Sequence, residues 1–285
     1  MRAPVAGDVR PSPIAGTWYP GSPERLAKSV DEMLAAAPLV SLDGQIMGLV
    51  VPHAGHRYSG IIAARAFRLV QGMSFERVVV ISPMHHYYDA PILTSSHDAY
   101  QTPLGHIPID RATLDALWQR IPVASVRRDP EHALEIELPF LQRALKGPFT
   151  LVPLMLRDQS FGVAEALGKA LATVLGTYQG TLLVASSDLS HFYTEQEAKE
   201  LDEAMLNRVA AFDPRGVIRI EDEGRGFACG RAAIASVLVA ARELGADEVQ
   251  IVGYGTSADV TGDRSRVVGY GAAVIYRSQG KAGST

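Results

Sequence analysis

Short, nearly unbroken runs of Val, Ile and Leu recur along this chain, and helix-like segments separate them. "IMGLVV" (46–51), "RVVVIS" (77–82), "FTLVPLML" (149–156) and "TLLVASS" (181–187) are such runs. A strand with one wet face alternates apolar and polar residues; a run apolar on both faces must be covered on both. The intervening "GIIAARAFRLV", "RATLDALWQRI" and "FGVAEALGKALATVL" have the period of helices that can supply the cover. The expected fold is therefore α/β, a single domain over 1–285 with a central mixed, mostly parallel sheet flanked by helices. "ILTSS" (92–96), "EVQIVGY" (248–254) and "SRVVGYGAAVIYR" (265–277) add strands. "EHALEIELPFLQRAL" (131–145), the segment from about Glu195 to Ala211, and that from Arg231 to Leu244 read as helices. Ser22 followed by Pro23 is a helix start. Before it, 1–23 reads as an extended arm; after the last strand, 278–285 reads as a disordered tail.

Composition removes several function classes. A chain of 285 residues that is 47% hydrophobic and 20% charged has the material for one sizeable core. A net charge of -4 offers no basic face for phosphate, so no nucleic-acid partner is expected. The longest apolar stretch, "AAIASVLVAA" (232–241), is too short for a bilayer, and no membrane association is expected. Cys229 is the only cysteine, which suits a reducing, cytoplasmic setting. H-E-x-x-H, C-x-x-C and G-x-S-x-G are absent, and "GYGTSAD" lacks dinucleotide-loop spacing.

The chemistry-bearing residues collect where strands end. "LVVPHAGH" runs out into His53 and His56, "VVVISPMHH" into His85 and His86, "LLVASSDLSH" into Asp188 and His191. Parallel neighbours would bring these exits together at the carboxyl edge of the sheet, where open α/β sheets bind ligands. Imidazole suits such an edge both as a ligand for transition metals and as a proton carrier near neutrality. Cys229 stands before a helix start, a position that lowers a thiol pKa and favours thiolate, while the usual fate of a free cysteine is a small buried hydrophobe. In "DPEHALEIELPF", Asp129 reads as a helix cap, and His132 and Glu135 lie three apart on one helix side, where they could support a site.

Taken together these stretches resemble the Memo family, whose prokaryotic members are called AmmeMemoRadiSam system protein B. The resemblance is carried by "AGTWYPG" (15–21), "VPHAGHRYSG" (51–60), "SPMHH" (82–86), "TPLG" (102–105), "EHALEIELPFL" (131–141), "SSDLSH" (186–191), "ACG" (228–230) and "VVGYGA" (267–272). It implies a fold similar to the class III extradiol, LigB-type dioxygenases, which are non-haem iron enzymes. It implies a pocket with His53, His85 and Cys229 on a mononuclear transition metal: iron first, copper or zinc as alternatives. Asp188 and His191 would be catalytic, His191 as the proton-transfer residue; His132 and Glu135, on their spacing rather than on the resemblance, would stand behind the ligands or belong to a capping network. The dioxygenases use a carboxylate where this chain offers Cys229, and a thiolate is the softer donor. The implied function is metal-dependent redox chemistry. The alternative is a non-catalytic metal- or phosphopeptide-binding module. A small-molecule or peptide ligand in the pocket and a radical SAM pathway partner are the implied partners.

Overall fold

The structure, a computed structural model, describes residues 7–176 and 180–279. The chain opens with β1 (Val9–Arg10) and reaches α1 (Pro23–Ala36), where Ser22 accepts from the Arg25 amide and Leu26, Val30 and Leu34 turn inward. β2 (Gly44–Val51), α2 (His56–Phe67) and β3 (Arg77–Pro83) follow. Then come the short strands β4 (Ile92–Ser95), β5 (Ala99–Thr102) and β6 (Gly105–Pro108), with α3 (Arg111–Trp118) and β7 (Ala124–Val126). Beyond α4 (Leu138–Ala144) lie β8 (Thr150–Leu156), α5 (Phe161–Leu175), β9 (Thr181–Ser186) and β10 (His191–Tyr193). α6 (Glu195–Ala210), opened by a Thr194–Glu197 capping box, leads into α7 (Pro214–Asp222) and α8 (Arg231–Glu243). β11 (Glu248–Thr256), α9 (Ala258–Thr261) and β12 (Val267–Ser278) close it.

The large sheet runs β10-β12-β2-β9-β3-β8-β4-β7, with β11 paired along β12. β2, β9, β3 and β8 are mutually parallel; β12 joins β2 antiparallel and β4 joins β8 antiparallel. Register pairs Leu49 with Val184 and Leu183 with Val79. These strands are buried on both faces, as β3 is at every residue. The expected mixed, mostly parallel sheet between helices is what forms. α5, α7 and α8 pack together, α8 lying on β2, β3 and β9; α1, α2 and α4 pack together, α2 lying on β2, β11 and β12. Gly168 permits the close approach of α5 to α8: a Cβ there would stand 2.6 Å from Cβ of Val239.

Two expectations change. The segment expected to be one helix from Glu131 is a turn, then a 3₁₀ turn over Glu135–Glu137, then α4 alone. Glu135 and Glu137 are committed to distant partners, and Glu131 to His85 and the amides of its own turn, which overrides the helical period. The arm is also built in: β1 pairs parallel with β5, forming with β6 a small second sheet. Residues 1–6 lie outside the described residues. At the other end Ser278 still belongs to β12, and the Gln279 amide donates to the Asp43 carbonyl. The rest of the expected tail, 280–285, lies outside the described residues. No helix among the described residues is long and apolar enough to cross a membrane.

Candidate metal centre

β9 lies between β2 and β3, and all three run the same way. Their carboxyl ends therefore sit side by side, and the loops that leave them carry His53, His85 and Asp188. A cleft of about 630 Å³ opens there, with His53, His85, His132, Asp188 and His191 in its lining. Trp18, Tyr58, Phe192 and Tyr270 form apolar walls, and Arg266 joins them.

One ligand nitrogen each from His53, His85 and His132 lies within 4.8 Å of the other two. These three histidines could hold a metal ion. His53 is buried, its Nδ1 2.9 Å from Ser186 Oγ. Burial, with the nearby His85, pushes its pKa down to about 3, so the ring is neutral near pH 7. The His132 ring is pushed down to about 3 by burial and by His53. Neutral rings keep the lone pair a metal needs, so the donor set fits a transition metal.

Glu131 holds the His85 ring and stands beside that of His132. Its Oε1 lies 2.9 Å from Nδ1 of His85, leaving that ring's Nε2 for a ligand, and 3.2 Å from Nδ1 of His132. The rings stack, centroids 4.9 Å apart. The carboxylate also accepts from the amides of His85 at 2.6 Å, His132 at 2.9 Å and Ala133 at 3.0 Å. Burial works against its charge, but His85 and these amides win and hold its pKa at about 2. This is the carboxylate–imidazole arrangement that orients metal ligands. Glu131→Gln should weaken metal affinity by about ten- to a hundredfold, measured by calorimetric titration of the metal-free protein. A lowered carboxylate pKa adds stability that is present above the ordinary value of 4.5 and lost as pH falls toward about 2. Across that window the stability gap between wild type and Glu131→Gln should close, read by urea unfolding.

The residue read from sequence as the support, Glu135, faces elsewhere. Its carboxylate takes Arg10, Ser12 and the Tyr19 hydroxyl, the last at 2.6 Å. It anchors the arm and touches no ligating ring. The cause is the missing helix: without it the three-residue spacing sends His132 to the cleft and Glu135 away. Sequence reading missed Glu131 because it looked like a helix start; its adjacency to His132 and the bare amides of the following turn were the available signal.

Asp188 Oδ1 accepts from the amides of His53 at 2.7 Å and Ala54 at 3.2 Å, fixing the turn after β2. Burial raises its carboxyl to about 6, with His191 pulling the other way. No hydrogen bond joins Asp188 to His191; Asp188 acts on that ring through charge. His191 opens β10 antiparallel to Val268, and its buried Nε2 has no partner. Cys229 Sγ lies 3.1 Å from Nε2 of His53 and outside the three-histidine group. The helix-start effect expected for it does not prevail: burial and the Asp188 carboxylate push the thiol well above its ordinary value. His56 is part of the core: Nε2 is 3.0 Å from the Ile136 carbonyl and the ring packs on Tyr19 and Phe140. His86 is exposed and lines no part of the cleft. Trp18, from the arm, lies over His132 with ring centroids 4.1 Å apart.

Comparison with known proteins agrees with this architecture. A family described as "Memo-like protein" matches residues 10–274. A "MEMO1 family protein" of Methanococcoides burtonii is 34% identical over 270 residues, 94% of this chain and 100% of the relative. A "MEMO1 family protein" of Nitrosopumilus maritimus is 31% identical over 271 residues, 93% of this chain and 98% of the relative. A crystal structure of the uncharacterized protein JW3007 from Escherichia coli K12 superposes with a TM-score of 0.55 at 14% identity, covering 81% of this chain and all of that one, which speaks to fold alone. With a matching family over nearly its whole length and relatives of equal span, this chain belongs to the Memo-like family.

Proposed function

We propose that this chain is a metal-dependent redox protein with a mononuclear centre on His53, His85 and His132. Iron is the first choice of metal and copper the alternative; zinc, which has no redox chemistry, would fit only the binding-module reading. The supporting observation is three ligand nitrogens within 4.8 Å of one another, with one ring held by the Glu131 carboxylate and another meeting Ser186. Cys229, against His53, is the alternative third donor. A bound iron or copper would supply Lewis acidity and one-electron chemistry that no side chain here has. The protein's own part is different. Glu131 sets the His85 ring and accepts from the His132 amide, Ser186 meets the His53 ring, and Asp188 fixes the turn that carries it. The walls of Trp18, Tyr58, Phe192 and Tyr270 offer apolar surface to a small-molecule or peptide ligand. His191, with a nitrogen left unpaired, moves the proton.

The test is elemental analysis of protein purified without chelator, for wild type, His132→Ala and Cys229→Ser, with oxygen uptake followed on the same samples. We expect wild type to hold metal, His132→Ala to lose most of it, and Cys229→Ser to keep most of it. The reverse pattern would make the set His53, His85 and Cys229. A wild-type protein that holds no metal would end the metal reading. Metal with no turnover, but ligand capture in the cleft, would make this a non-catalytic binding module.

A further inference from the structure

Behind His53 lies a buried acid that the scheme above does not use. Glu137 ends the 3₁₀ turn before α4, 1% exposed, and its Oε1 lies 2.8 Å from Oγ of Ser186. The same Oγ lies 2.6 Å from the Ala133 carbonyl and 2.9 Å from Nδ1 of His53. Three partners thus surround one hydroxyl, which owns one proton and two lone pairs.

Only one assignment puts a proton on every contact. The Ala133 carbonyl can only accept, so the Ser186 proton goes there, along the shortest of the three distances. Glu137 and His53 must then both donate to Oγ. Glu137 donates only as the carboxylic acid, and His53 donates only with its proton on Nδ1. If Glu137 were a carboxylate, it and the Ala133 carbonyl would compete for the same proton and one buried oxygen would go without. If His53 were protonated on Nε2 instead, Nδ1 would be a third claimant for it. Burial favours the neutral acid independently, and the neighbouring Asp188 charge acts in the same direction.

We propose that Glu137 is a permanently protonated positioning residue, which through Ser186 locks the buried His53 in the Nδ1–H form so that Nε2 presents its lone pair to the cleft. The inference rests on His53 being a metal ligand for its purpose, but not for its geometry, so the two can fail separately. A carboxylate behind a ligating histidine, as Glu131 is for His85, makes the ring more basic; a neutral acid behind a serine fixes the tautomer without adding charge. The centre would then have one charged support and one neutral support.

The lock is tested on metal-free, full-length protein carrying ¹⁵N-histidine. The expected result is His53 as the Nδ1–H tautomer in wild type and in Glu137→Gln, because the amide nitrogen donates to Oγ as the acid does. Ser186→Ala should weaken the preference, the Cys229 thiol 3.1 Å from Nε2 supplying what remains, and Ser186→Ala with Cys229→Ala should lose it. Infrared spectra should show a buried carboxylic-acid carbonyl band at neutral pH that Glu137→Gln removes. With Zn(II) as the probe, affinity should hold within about threefold in Glu137→Gln and fall about tenfold or more in Ser186→Ala, the scale of losing a ligand's orienting partner. An Nε2–H His53 in wild type, or no band removed by Glu137→Gln, would overturn the proposal whatever the metal does. Should the tautomer and band be as stated while wild type binds no metal, the lock stands and the metal reading fails. If Ser186→Ala is too unstable to study, the wild-type tautomer and the Glu137→Gln band decide the matter alone.

Discussion

Arg10→Met should cost about 3–5 kcal/mol of folding stability, because it removes the one cation from a buried pair of carboxylates. Arg10 Nε donates to Asp129 Oδ2 at 2.6 Å, Nη1 reaches Glu135, and Nη2 donates to the carbonyls of Asp129 at 3.0 Å and Glu131 at 2.8 Å. The two carboxylate side chains are 1% and 0% exposed, so water cannot take the cation's place. The guanidinium also lies over the Tyr100 ring, 4.6 Å from its centroid. Methionine keeps most of the volume, so the loss belongs to the charge and the donors rather than to a cavity. Urea unfolding of both proteins checks it. Arg10→Met combined with Glu135→Gln should recover part of the loss, because one stranded charge is gone. A change below about 1 kcal/mol would place this network among those that add nothing net.

On the proposed function, His191→Ala should keep the metal and lose turnover by about a hundredfold or more, the usual scale of general acid–base catalysis. His191 lines the same cleft as the three grouped histidines but is not one of them. Its ring packs on Phe227, centroids 5.4 Å apart, and burial lowers its pKa against the pull of Asp188. A ring kept neutral can accept a proton, and its unpartnered Nε2 is the atom to do so. Metal analysis and kinetics on one preparation distinguish the outcomes. Loss of metal together with activity would make His191 a ligand. Full turnover in His191→Ala would move the proton step elsewhere.

How much of this was legible in the chain follows from what each residue answers to. β2, β3, β8 and β9 were readable because burial on both faces leaves a continuous apolar run, and three of them end in polar ligand-type residues. Their neighbourhood followed from the rule that such exits converge. The segment from Glu131 to Glu137 was not readable. Its period is helical, but Glu131 turns back onto local amides, Glu135 reaches Arg10 across 125 positions, and Glu137 sits against Ser186 across 49. Pairings that distant leave no mark on local spacing. The two-residue strand β1 escaped for the same reason: its register is set by β5, not by its own sequence. Cys229 was placed correctly at a helix start, yet the effect of that start on its thiol is outweighed by burial beside Asp188.

The strand order also bears on when, during synthesis, the centre can exist. β2 and β3 leave the ribosome early, carrying His53 and His85, but they are not neighbours in the finished sheet. β9, made about a hundred residues later, is the wedge between them. Before residue 186 is in place the two strands have no shared partner to set their spacing, and Ser186, which meets His53, does not exist. Asp188 and Cys229 come later still. Chains grow from the N-terminus at about 5–20 residues per second, so for several seconds the histidines are present without a geometry. A nascent or truncated chain ending before β9 would carry the three imidazoles without the strand that brings them together. Their grouping is a property of the completed sheet.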